Sequence, residues 1–167
     1  MKKIYLLLLP FLITVTFVNA QGGWVTHKAD DKVSIKFPSE PIEYTPGSFT
    51  AFDKDSVAYI FTLVDFKKVA NIDSETLAPI KNTPEFAAQL KSGIKQSLPN
   101  VDFADFVIGT WKGFTSYSSS GLDPEKKKYD MFMFIIGNKL YSASTVSAPG
   151  VSSESHDNFV NSIVLSN

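Results

Sequence analysis

The chain has 167 residues, 44% of them hydrophobic and 14 of them phenylalanine, so it can build a core and is too apolar for a disordered tail. All 16 basic residues are lysines against 17 acids; a formal charge of −1 without arginine excludes the basic surface that nucleic acid needs. With no cysteine, disulfides, iron–sulfur clusters, thiol nucleophiles, zinc–thiolate sites and cysteine-linked lipid anchors are excluded as well.

Lys2 and Lys3 open a basic start, Ile4 to Val18 is almost wholly apolar, and Val18-Asn19-Ala20 closes the run. That three-part pattern predicts a secretory signal cleaved after Ala20. The apolar run is shorter than the roughly 20 residues a membrane span requires. No later stretch is long and apolar enough to cross, so no stable span is expected after cleavage. Removing residues 1–20 takes away two lysines and no acid, so the formal charge moves from −1 to −3. The chain is therefore expected in the periplasm or outside the cell.

Residues 21–31 read as a lead-in, and 32–167 as a single domain. Val33, Ile35 and Phe37 alternate with polar residues, the period of a strand with one wet face. Pro38 and Pro41 end it, and Pro46-Gly47 turns the chain into a short strand over 48–52. Ser56 to Val64 is apolar on both faces and predicts a central strand. A polar connection over 65–83 follows, with room for a short helix after Ser74. Thr83-Pro84 caps a helix whose stripe is Phe86, Leu90, Ile94 and Leu98, ended by Pro99-Asn100.

From Val101 the chain reads as four strands, near 103–109, 113–119, 128–136 and 140–147. Lys128 to Ile136 is again apolar on both faces. Gly137-Asn138 predicts a type II′ hairpin that sets Ile136 opposite Lys139 and Phe134 opposite Tyr141. Ser152 or Ser153 caps a last helix with Phe159 and Ile163 inward. Three strands, a helix, four strands and a helix predict an α+β domain. Its mostly antiparallel sheet of about seven strands is flanked by helices on both faces.

Val33-Ser34-Ile35-Lys36-Phe37-Pro38 with Pro41 resembles the first strand and proline exit of small secreted bacterial proteins of the PsbP-like fold. Leu140-Tyr141 followed by Phe159-Val160-Asn161-Ser162-Ile163 resembles their last strand and final helix. The resemblance spans residues 32–165 and implies an α/β/α sandwich. Members such as the extrinsic P subunit of photosystem II and a Ran-binding nuclear-import factor are accessory or binding proteins. They share no active-site motif, so the resemblance implies no cofactor and no catalytic residue.

The chain's own candidates are few. His27 and His156 are its two imidazoles, and no Gly-x-Ser-x-Gly elbow supports a triad around either. Asp53-Lys54-Asp55 lacks the glycine and distal glutamate of a calcium loop and reads as a polar turn. Asp102 and Asp105 fall on opposite faces of a strand, which argues against a catalytic pair. Glu125 to Lys128 reads as a solvated hairpin loop. Trp111, Lys112, Phe114 and Tyr117 are the candidate contact for a ligand or partner, with plain packing as the alternative. Trp24 has the same two readings and would tie down the new N-terminus. No metal or cofactor is expected. The reading is an exported, non-enzymatic accessory or binding protein whose partner is a protein or small ligand of the envelope. The rivals are a secreted carboxylate-dependent hydrolase and an envelope assembly or stress factor that binds through a sheet edge.

Overall fold

The alternating segment Val33–Phe37 forms strand β2, with Val33, Ile35 and Phe37 fully buried and Lys36 in solvent. This is seen in a computed structural model, which describes residues 23–152 and 154–166. The expected signal over 1–20 lies outside the described residues, as does Ser153. β2 is the middle of a small antiparallel sheet, between β1 (Val25–Lys28) and β11 (Val164–Leu165). β1 arises inside the expected lead-in. Its alternation is hard to read because His27, a polar residue, takes an inward position opposite Ile35.

The large sheet is antiparallel too, in the order β3 (Ile42–Thr45), β4 (Ser48–Phe52), β5 (Ala58–Asp65), β10 (Lys139–Ser147), β9 (Lys128–Ile136), β8 (Phe114–Leu122). Two short strands share the outer side of β8: β6 (Asp102–Phe103) pairs with its end and β7 (Val107–Trp111) with its beginning. The strand expected over 103–109 is thus broken, because the chain turns at Ala104, whose N–H donates to Ser120 O at 2.9 Å. The large sheet has eight strands where the sequence predicts about seven, and a second sheet of three brings the total among the described residues to eleven. The strands not foreseen, β1, β3, β6 and β11, are only two to four residues long.

The strands read as apolar on both faces, β5 and β9, are interior. β5 lies between β4 and β10, and β9 between β10 and β8. The predicted register holds, with Ile136 opposite Lys139 and Phe134 opposite Tyr141. Gly137 takes φ +62° and Asn138 stays out of the positive-φ region, as a type II′ turn requires. The Phe134 and Tyr141 rings stack 5.0 Å apart.

Because side chains alternate, the sheet has two cores. The front core sets Phe61, Phe134, Tyr141 and Ala143 against the small sheet and α4 (Glu154–Asn161), through Val33, Ile35, Phe37, Phe159 and Ile163. The back core sets Tyr117, Met131, Met133 and Ile135 against Leu77, Phe86 and Ala87. Those three belong to α2 (Ser74–Leu77) and α3 (Pro84–Ser97), which follow α1 (Phe66–Ala70). Burying each large apolar side chain contributes roughly 1.5–3 kcal/mol. Thr83 Oγ1 accepts the N–H of Phe86 at 3.2 Å, and the stripe Phe86, Leu90, Ile94 and Leu98 packs on the back core as its spacing predicts. The domain is α+β with helices on both faces of an antiparallel sheet.

Candidate functional site

His156 meets a hydroxyl and lies near an acid. Its Nδ1 is 3.2 Å from Thr145 Oγ1, and Asp130 stands opposite Thr145 on the neighbouring strand. Burial pushes the imidazole below its usual range, while Asp130 and Asp157 pull it back up. Thr145 is 3% exposed, and the Asp130 carboxylate is held by Lys128 at 2.9 Å. A substrate could reach Thr145 only if α4 moved away. In this arrangement the contact fastens α4 to the sheet.

His27 is wedged between Phe49 and Phe37, with ring centroids 4.1 and 6.0 Å away. Its Nε2 is buried and unpartnered. Burial lowers its pKa, against the raising influence of Glu40 and Glu43. Such a ring serves packing while it stays neutral.

The acid runs are structural. Asp53 Oδ1 accepts the N–H groups of Asp55 and Val57, each at 2.9 Å, and Oδ2 accepts Tyr59 OH at 2.8 Å. Burial, with help from Asp53, pushes the Tyr59 phenol up to about 12. Asp105 pairs with Lys91 at 2.7 Å rather than with Asp102. Lys127 pairs with Glu125 at 2.6 Å in the β8–β9 turn. Beside that turn a shallow cavity of about 310 Å³ is lined by Leu98, Pro99, Pro124 and Tyr129. Among the described residues, no three His, Asp or Glu side chains gather as a metal site.

Sequence reasoning missed Asp30. Its carboxylate accepts Lys139 Nζ and Tyr141 OH, each at 2.7 Å, and the N–H groups of Lys32 and Val33. Burial pushes this carboxyl up, but those bonds outweigh it and hold it below the usual range. Asp30 therefore bolts the β1–β2 hairpin to β10. No local signal marks this link, since its two side-chain partners, Lys139 and Tyr141, are more than a hundred residues away.

Three of the four candidate contact residues come together at the β7–β8 hairpin. Trp111 and Phe114 face each other across its end and pack on the front core; Trp111 lies 4.7 Å from the Phe134 ring. Lys112 and Gly113 both take positive φ, +48° and +84°, the two-residue type I′ turn. Lys112 Nζ donates to Ile163 O at 2.9 Å and sits 4.6 Å over the Trp111 ring. Tyr117 is on the back face instead. Its hydroxyl donates to Lys81 O, and burial raises its pKa strongly. Trp24 ties down the start of β1, with its ring 5.3 Å from Tyr59 and 6.3 Å from Phe159.

The outer side of that hairpin is open. Among the described residues β7 pairs with β8 alone, in five unbroken registers from Val107–Ser118 to Trp111–Phe114. Val107 is 68% exposed, and Gly109 and Thr110 are exposed beside it. β7 carries no charge, no proline and no bulge.

No protein-family model matches the chain, and no curated protein matches it in sequence. Its shape is similar to the solution structure of cyanobacterial PsbP (CyanoP) from Synechocystis sp. PCC 6803. The TM-score is 0.63 at 12% identity, over 87% of this chain and 94% of that one. The fold is PsbP-like. A crystal structure from Bacteroides thetaiotaomicron VPI-5482 aligns at a TM-score of 0.43 and 11% identity, over 88% of this chain and 49% of that one. At such identities the PsbP-like fold brings no site residue with it. Among the described residues no helix is long and apolar enough to cross a membrane.

Proposed function

We propose that this PsbP-like protein is an exported, non-enzymatic accessory protein that binds a partner polypeptide along β7. One observation carries the reading: β7 is a regular, uncharged, uncovered sheet edge, with Trp111, Lys112 and Phe114 at its hairpin end. Such an edge offers backbone donors and acceptors to an added strand. The apolar run and small residues over 1–20 support export, with a mature chain beginning at Gln21. The burial of Thr145 and the pairing of Asp130 with Lys128 favour binding over a hydrolase built on His156.

Two measurements test this. The mass of the protein recovered from the envelope should correspond to a start at Gln21; an intact Met1 start would refute cleavage, and recovery from the cytosol alone would refute export. A photo-crosslinking residue at Thr110 should capture a polypeptide in living cells, whereas one at Glu43 should not. No adduct at 110, or equal adducts at both, would refute the edge assignment.

A further inference from the structure

The two-residue turn fixes which backbone groups of β7 are free. Trp111 and Phe114 flank it and exchange both ladder bonds, as do Gly109 with Ser116 and Val107 with Ser118 along the same register. Ile108 and Thr110 therefore aim their N–H and C=O groups away from β8, with no strand beyond to receive them.

The strand is self-complementary about Gly109. A second β7, antiparallel and related by a two-fold axis through Gly109, sets Ile108 opposite Thr110 of the other copy. Those are the two residues with free outward groups, so four bonds form. Val107 then lies opposite Trp111 of the second copy on the front face, a β-branched residue against an aromatic one. Gly109 meets Gly109 in the non-hydrogen-bonded position, where strands approach to about 4.5 Å between Cα atoms. No like charges face each other. The flanking charges are already engaged within each copy, Asp105 by Lys91 and Lys112 by Ile163 O, so neither opposes the pairing.

We infer that the occupant of the β7 edge is a second copy of this chain, joined strand to strand into one continuous sheet. The inference rests on reading β7 as the binding edge and names its partner. Sedimentation equilibrium of the purified protein should show a concentration-dependent dimer. Thr110→Pro removes an outward N–H from an edge strand, where proline is tolerated, and should weaken the dimer at least about tenfold. Val107→Asp, at an exposed position, should weaken it as well and guards against a folding defect in the proline variant. Amide exchange at Ile108 and Thr110 should slow as concentration rises. A dimer indifferent to both substitutions, or a wild type monomeric at all concentrations, overturns the inference. A monomer whose Ile108 and Thr110 amides become protected by another envelope polypeptide overturns the second copy and leaves the edge reading standing. Amides at 108 and 110 that never gain protection overturn both.

Discussion

The two edges of the large sheet are built to opposite rules. At β3 the strand is four residues long, and Pro41 and Pro46 stand at its ends. Its register slips between Glu43 and Thr45, and Glu43 sits in its middle. Each feature hinders the addition of another strand. At β7 none of them is present, although this edge carries an exposed valine and a half-buried tryptophan. Exposed apolar residues alone do not separate the edges, since Ile42 and Tyr44 on β3 are 60% and 64% exposed. What separates them is whether the backbone is left regular and uncharged. A sheet that guards one edge and leaves the other open is arranged for pairing on the open side.

The contrast presupposes a rigid sheet between the edges, and Asp30 is where that rigidity is most exposed to mutation. Asp30→Ala strands Lys139 and the Tyr141 hydroxyl. It should cost about 1–3 kcal/mol in urea denaturation, the range for leaving part-buried hydrogen-bonding groups without their partner. The folded-state pKa of Asp30 is depressed. Its contribution is therefore present above the unfolded value of 3.8 and lost as pH falls through the folded one. If the loss is under 1 kcal/mol, the hairpin of the small sheet is not bolted there.

A smaller effect is expected at α4. Thr145→Val removes the hydroxyl that His156 meets and should cost about 1 kcal/mol without altering association at β7. Burial lowers the pKa of both His156 and His27. Their contribution is present above the unfolded value of 6.5 and fades as pH falls toward the folded pKa. The denaturation midpoint should drop on acidification from pH 7.5, and a variant with His27→Asn and His156→Asn should show a flatter profile. An equally steep profile in that variant would assign the acid sensitivity elsewhere.

The smallest change in stability should accompany the sharpest change at the edges. Pro41→Thr with Glu43→Gln removes two guards from β3 but keeps an acceptor for the N–H of Gly47, which Glu43 Oε1 receives at 2.8 Å. Stability should move by no more than about 0.5 kcal/mol, while light scattering shows new association. Unchanged scattering would mean that strand length and bulge alone protect β3.

Much of this was legible in the residues. β5 and β9 announce themselves by apolar side chains on both faces, α3 by its Thr83-Pro84 cap and four-residue stripe, and the β9–β10 register by Gly137-Asn138. What stayed hidden has one physical cause. β1, β3, β6 and β11 are two to four residues long, too short for a period to show; β1 and β3 exist through hairpins with β2 and β4, and β6 and β11 through pairing with the more distant β8 and β2. Tyr117 looked like a neighbour of Trp111, but strand alternation carries it to the other face. Asp30 offered nothing local, since its role was written at Lys139 and Tyr141.

The small sheet sets an order of events. β2 is flanked by β1 from the start of the domain and by β11 from its end, where the N–H of Ser166 donates to Lys32 O at 2.8 Å. The front core cannot be sealed until residues 164–166 are delivered. A growing or threading chain can pair β3 to β5 early, but its front apolar face waits for α4 and β11. The closing step joins the two ends of the domain, so a chain halted short of residue 164 would be left open on that side.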